Sequence, residues 1–138
     1  MKEIADAFLA NGLTVDWTAT MRCDQGSRLD DEVFDLCKRS GLKRVIIGVE
    51  SGSATILRRI QKDITLEQVF ESASKCARHG IGAIMNFIVG FPGETDEEIR
   101  QTLDVAARLR AMSPDFEASI FYFSPYPGTR LADYLEIV

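Results

Sequence analysis

At 138 residues, 46% hydrophobic and 27% charged, the chain can build one modest domain with its own core and is ordinary in composition for a soluble globular protein. It has no apolar run long enough to span a bilayer, and Lys2, Glu3 and Asp6 among Ile4, Ala5 and Ala7 read as an amphipathic helix, not a secretory leader. A net charge of −5 disfavours a general nucleic-acid surface, and Cys23, Cys37 and Cys76 fit neither a disulfide framework nor a metal knuckle, which implies free thiols in a reducing cytoplasm.

The first predicted helix covers residues 2–11 and stops at Asn11-Gly12, with Leu13 next. A glycine followed by an apolar residue is the expected helix end, because glycine takes the left-handed conformation and the next side chain folds back. The same punctuation recurs at Ser40-Gly41-Leu42 and His79-Gly80-Ile81. Strand-like runs follow each, at Val15 to Met21, Val45 to Val49 and Ala83 to Val89, and a fourth runs from Glu117 to Phe123. Between them, Asp30 or Asp31 opens a helix carrying Val33, Phe34 and Cys37. Thr65 with Gln68 and Thr95 with Glu98 form capping boxes for two more. A short helical turn is expected over Ser53 to Ile60. The strand starts lie roughly 30–40 residues apart, which suits right-handed parallel crossovers and excludes hairpins. The fold class is therefore α/β, four parallel βα units.

Strand alternation divides the sheet into unlike faces. Val15, Trp17, Ala19, Met21, Val45, Ile47, Val49, Met85, Phe87 and Val89 form an apolar face suited to lie under helices. The other face carries Asp16, Thr18, Thr20, Arg22, Glu50 and Asn86, with Gly48 and Gly90 leaving room beside them. Burying such groups unpaired would cost several kcal/mol, on the order of 2–7 each, so a polar cavity on that side is the economical reading. The faces of the fourth strand, Ala118, Ile120 and Tyr122 against Ser119, Phe121 and Phe123, stay unassigned.

Glu50, at the end of the second strand before Ser51-Gly52-Ser53, is a candidate for hydrogen bonding to vicinal hydroxyls such as a ribose, or for pairing with Arg22 across the lumen. Arg22 suits a carboxylate or phosphate, or a structural ion pair. Gly90 and Gly93 either admit a ligand to the backbone or simply make the turn. Cys37 and Cys76 sit at buried helical positions, while Cys23, just past a strand, is nearer a site. His79, the only histidine, is read as a favourable charge at a helix C-terminus rather than a catalytic base. Tyr126, in a proline-fixed turn, forms a cavity wall or a rigid loop. No phosphate loop or dinucleotide glycine motif is present, and the pattern names no catalytic residue and no metal ligands.

Five stretches, W-T-A-T-M-R-C-D (17–24), G-V-E-S-G-S (48–53), I-Q-K-D-I-T (60–65), F-I-V-G-F-P-G-E-T (87–95) and P-Y-P-G-T-R-L (125–131), together resemble the radical S-adenosylmethionine superfamily. The likeness is to the branch that often carries a cobalamin-binding domain, with magnesium-protoporphyrin ester cyclase-like and methyltransferase members. It implies an open (β/α)6 partial TIM barrel, of which these strands would be the third to sixth across residues 1–138. It also implies that Glu50 binds the ribose of S-adenosylmethionine and that Arg22 and Ser51 lie near its methionine end. Ile88 and the Gly90 backbone would pack on the adenosine, and Ser124 to Tyr126 would border the adenine. Enzymes of this kind hold a [4Fe-4S] cluster on a C-x-x-x-C-x-x-C loop after the first strand, which these three cysteines cannot supply.

The implied reading is the C-terminal portion of a radical core, as a truncated chain, a gene fragment or one piece of a split protein. The intact parent would generate a 5′-deoxyadenosyl radical and act on a small molecule, with cobalamin possible in a separate domain; alone, the chain would be inactive. A non-radical TIM-barrel lyase or aldolase fragment is weakened by the lack of a strand-end Schiff-base lysine. A non-catalytic binding or assembly module would use the exposed edge of the first strand, for self-association or to pair with a missing N-terminal half.

Overall fold

The structure, a computed structural model, describes residues 1–129; Arg130 and Leu131 of the fifth stretch lie outside the described residues. The elements run α1 (Lys2–Ala10), β1 (Trp17–Thr20), α2 (Cys23–Gly26), α3 (Asp31–Arg39), β2 (Leu42–Glu50), α4 (Ala54–Arg59), α5 (Leu66–Arg78), β3 (Gly82–Val89), α6 (Asp96–Arg110) and β4 (Phe116–Tyr122). All strand pairs are parallel and the order is β1-β2-β3-β4, so each strand lies beside its predecessor in sequence. No described helix is long and apolar enough to cross a membrane.

The helices begin where local chemistry says they should. Thr65 and Thr95 each accept from the backbone N–H three residues on, while Gln68 and Glu98 return a bond to the cap N–H. Those reciprocal bonds satisfy two of the four N–H groups that any helix start leaves open. Glu98 holds its proton less tightly than an ordinary carboxylate, first because it accepts from the Thr95 backbone N–H and then from its hydroxyl.

One core holds the domain together, and it lies on one side of the sheet. Val45, Ile47 and Val49 of β2, Ala83, Met85 and Phe87 of β3 and Phe116 of β4 are buried there with Phe34, Cys37, Leu57, Val69, Ala73, Cys76, Val105 and Leu109 from the helices. Fully burying one such large apolar side chain stabilises by about 1.5–3 kcal/mol. A doubly wound sheet would need a second helical layer. Here the remaining strand residues, among them Thr18, Thr20, Ile46, Ile84, Asn86 and Ile88, are half-buried or exposed and none belongs to the core.

The register assigns the fourth strand. Ala118, Ile120 and Tyr122 pair with Met85, Phe87 and Val89 and so share the helix face, while Glu117, Ser119 and Phe121 share the open face with Ile84, Asn86 and Ile88. The first strand is shorter than expected because Val15 and Asp16 lie outside the ladder, whose pairing shifts between Trp17 and Thr18. Helix α2, four residues long, was not anticipated at all: Cys23–Gly26 is too brief for any periodicity to show.

Candidate functional site at the strand ends

The open face can be followed in layers from the registers. Thr18, Arg44 and Gly82 form the lowest, where Arg44 reaches past Gly82 to pair with Glu117 at 3.0 Å. Above it lie Thr20, Ile46 and Ile84, then Gly48, Asn86 and Ser119, and last Ile88 beside Phe121. Glu50 stands at the upper end of β2, where the ladder is interrupted between Gly48 and Glu50. An apolar floor thus separates an ion pair at the bottom from polar groups at the rim.

Glu50 has φ +70°, and the Ser51 N–H donates to the Val49 carbonyl at 3.0 Å. An i→i+2 bond around a positive-φ centre is the rarer, strained hand of the γ-turn. Holding a non-glycine residue there costs on the order of 1–3 kcal/mol, and such strain persists only where surrounding contacts enforce it. The turn folds the side chain back over the open face. The carboxylate Oε1 lies 2.6 Å from where a Cβ on Gly48 would stand, so only glycine at 48 leaves room for it. Lys62 Nζ donates to that same oxygen at 2.8 Å, and both side chains are 23% exposed.

Lys62 was not singled out from sequence, although it falls within the I-Q-K-D-I-T stretch. The helix α4 brings it back. Gln61 has φ +56°, its N–H donates to Arg58 O and the Lys62 N–H donates to Leu57 O, the pair of bonds that closes a Schellman helix end with glutamine where glycine is usual. The chain reverses there and returns Lys62 to the rim.

The other candidate residues fall differently. Arg22 does not reach Glu50: it is the N-cap of α2, and its Nε donates to Asp24 at 2.9 Å, two residues away. The expected cross-lumen pair is therefore replaced by one local contact and the Glu50–Lys62 pair. The Ser51 side chain is fully buried and faces helix α6, where its hydroxyl meets Thr102 Oγ1 at 3.1 Å and accepts from the Ser53 N–H at 3.0 Å. Its hydroxyl is engaged in holding the loop.

Ile88 is half-buried on the open face. Gly90, with φ +84° and open space where a Cβ would lie, follows at the end of β3. Glu94 Oε2 accepts from the Gly90 N–H at 2.5 Å and the Phe91 N–H at 3.1 Å, and Gly90 itself is exposed. Tyr126 is 75% exposed beyond β4, with Phe91 and Phe123 in tilted contact at 5.3 Å below the same rim.

His79 lies away from this rim. It packs on Phe34 and its ring nitrogens meet Asp35 at 2.6 Å and Asp31 at 3.1 Å, so it ties α5 to α3. Cys23, Cys37 and Cys76 are free and buried. Burial pushes all three thiols up, Cys76 to about 12; for Cys23, the nearby Lys62 charge only partly offsets it. A raised thiol pKa stabilises the fold fully below the unfolded value of 9.0, and that stability is lost as pH rises towards about 12. Alkylation of the native chain by iodoacetamide at pH 8 is expected to leave Cys76 unmodified for hours and to label it within minutes in urea. Equal rates in both would contradict its burial.

Residues 8–106 match the Radical SAM superfamily. An uncharacterized methyltransferase of Pyrococcus horikoshii is 36% identical over 123 residues, covering 89% of this chain and 25% of its own. A tRNA-2-methylthio-N(6)-dimethylallyladenosine synthase of Anaeromyxobacter is 40% identical over 84 residues, 59% of this chain and 17% of its own. The chain thus spans about a quarter or less of the curated relatives it matches. Among solved structures, coproporphyrinogen III oxidase from Escherichia coli, titled a radical SAM enzyme, superposes with TM-score 0.70 at 19% identity, over 91% of this chain and 29% of its own. The radical methyltransferase TsrM of Kitasatospora setae, with cobalamin and a [4Fe-4S] cluster bound, gives 0.64 at 22%, over 86% and 23%. These likenesses identify the four βα units as part of a partial TIM barrel, and the chain belongs to the radical SAM superfamily.

Proposed function

We propose that this chain forms one wall of the S-adenosylmethionine site in a radical enzyme, and that residues 1–138 are the third to sixth units of its barrel. The observation that carries the reading is Glu50: a carboxylate held in a strained turn at a strand's C-terminal end, on a face that no helix covers. Chemistry in βα folds gathers at that end. A carboxylate there can accept from both hydroxyls of a ribose, while Ile88 and Phe121 offer an apolar shelf for a planar base and the Gly90 turn lets backbone approach it. Tyr126 closes the adenine side. Arg22, half exposed at the rim, remains available to an anionic group.

The residues fit the nucleoside but not an iron–sulfur cluster. Among the described residues no three His, Cys, Asp or Glu side chains could hold a metal ion, and the cysteines are spread over α2, α3 and α5 inside the core. Cluster ligands therefore come from outside this chain, and S-adenosylmethionine, when bound beside such a cluster, supplies the 5′-deoxyadenosyl radical. What this chain does is bind and orient the nucleoside. The unpaired edge of β1, together with exposed Ile4, Leu9, Leu13 and Val15, suits the N-terminal half of the barrel as partner. In this reading the parent is a cytoplasmic enzyme with a small-molecule substrate and cobalamin on a separate domain; the names of the curated relatives, a methyltransferase and tRNA methylthiotransferases, suggest transfer of a methyl or methylthio group.

Calorimetric titration of S-adenosylmethionine into the chain tests this. Glu50→Ala should weaken binding at least tenfold, about 1.4 kcal/mol, with a urea midpoint unchanged or only slightly lower, since alanine keeps the Cβ that strains the turn and only a partly exposed ion pair is lost. Identical isotherms for the two proteins would remove Glu50 from the site.

A further inference from the structure

Two non-glycine residues in the described chain have positive φ, Glu50 and Gln61, and a single contact joins the segments they set. Glu50 turns its carboxylate back over Gly48. Gln61 ends α4 and returns the next residue, Lys62, to the same spot, where Nζ lies 2.8 Å from Oε1 and 3.3 Å from the point a Gly48 Cβ would occupy. The reversal at Lys62 is tightened further by the Ile64 N–H donating to the Lys62 carbonyl at 2.7 Å. Three devices in separate stretches, a γ-turn, a Schellman end without glycine and a glycine in mid-strand, therefore converge on one ion pair.

We infer that Lys62 is a positioning residue: its ammonium holds Glu50 in the left-handed, folded-back conformation in which the carboxylate faces the lumen before any ligand arrives. An isolated glutamate leaves the left-handed region for the extended one at little cost, and its side chain would then swing out along the strand direction. The ion pair opposes that escape. Only one carboxylate oxygen is taken up by Lys62, so Oε2 stays open to a hydroxyl, and the pre-set geometry spares the ligand the cost of ordering the side chain. Lys62 thus acts on the ligand through Glu50. This inference rests on the proposed role of Glu50 in contacting the ribose, but the backbone part of it does not.

The two parts are tested separately on the full chain. Without ligand, the Glu50 ¹³Cα and carbonyl chemical shifts report its backbone region. In Lys62→Met they should move from left-handed to extended values, and in Lys62→Arg they should stay. Should Lys62→Met fail to fold, Lys62→Leu, which likewise carries neither donor nor charge, is read the same way. A left-handed Glu50 in the neutral variant overturns the inference. In titrations, Lys62→Met should weaken S-adenosylmethionine and plain adenosine by the same factor, about five- to tenfold, because both carry the ribose, and Lys62→Arg should restore most of it. Loss confined to S-adenosylmethionine would mean that Lys62 touches the methionine carboxylate directly, and a gain in affinity would mean that it competes for Glu50; either result defeats the positioning role. If the unaltered chain binds neither compound, the proposed function fails while the chemical shifts still decide the rest.

Discussion

Gly41→Ala is expected to remove about 3 kcal/mol or more of unfolding free energy, the largest loss of any single methyl addition in the described chain. Two effects coincide at this residue. Its φ is +98°, a region hostile to side chains, and an added Cβ would stand 1.8 Å from the Val15 carbonyl oxygen. Val15 cannot simply retreat, because Trp17 two residues later donates its N–H to the Gly41 carbonyl, and its indole N–H lies 3.2 Å from both the Ser40 carbonyl and hydroxyl. Gly12→Ala makes the comparison: φ is +63° there but nothing lies within 4 Å, so only conformational strain applies, about 1 kcal/mol. Urea unfolding followed by the single tryptophan, Trp17, measures both. Equal midpoints for the two variants would show that the Val15 segment yields freely and that β1 is only loosely docked.

A second large effect should come from Gly52→Ala, at about 2–3 kcal/mol. Here φ is unremarkable and the cause is purely steric. The new Cβ would lie 2.5 Å from the Gln101 carbonyl oxygen and 2.7 Å from Thr102 Cα, backbone atoms of α6 that cannot rotate away. The Gly52 N–H also donates to Thr102 Oγ1 at 3.0 Å, and Thr102 passes a bond to the Glu98 carbonyl. Moving α6 off this loop would disturb Ser51 and, through it, the turn that sets Glu50. The variant should therefore lose S-adenosylmethionine affinity along with stability. Thr102→Ser, which keeps the hydroxyl, serves as its control. Loss of stability with affinity intact would separate the loop from the site.

Much of this arrangement could be read from residue order alone, and the parts that could not have physical reasons. Capping boxes are local, so Thr65 with Gln68 and Thr95 with Glu98 were visible, and alternation over eight or nine residues sorted the faces of β2 and β3. The open face followed from Asn86, Gly48 and Glu50 falling on one side. Contacts across the fold were another matter. Arg22 and Glu50 looked like partners because both carry charge at strand ends, but Asp24 is two residues from Arg22 and needs no fold to reach it. Lys62 escaped notice because its route to Glu50 runs through a six-residue helix and a reversal at glutamine, a residue type that seldom marks one. Ser51 was placed by resemblance alone, and the bonds of its hydroxyl to Thr102 and Ser53 exist only once α6 has packed on the loop.

The strand order has a consequence for how this domain comes to exist. Since β1, β2, β3 and β4 are neighbours in space as well as in sequence, no strand waits for a distant segment before it can pair. Contacts close over short stretches of chain, which favours fast folding for a parallel α/β protein. Each βα unit can dock on its predecessor as it leaves the ribosome, and the growing sheet always presents one fresh margin for the next. An architecture assembled by accretion tolerates being lengthened or cut in whole units far better than one closed by a late, long-range pairing.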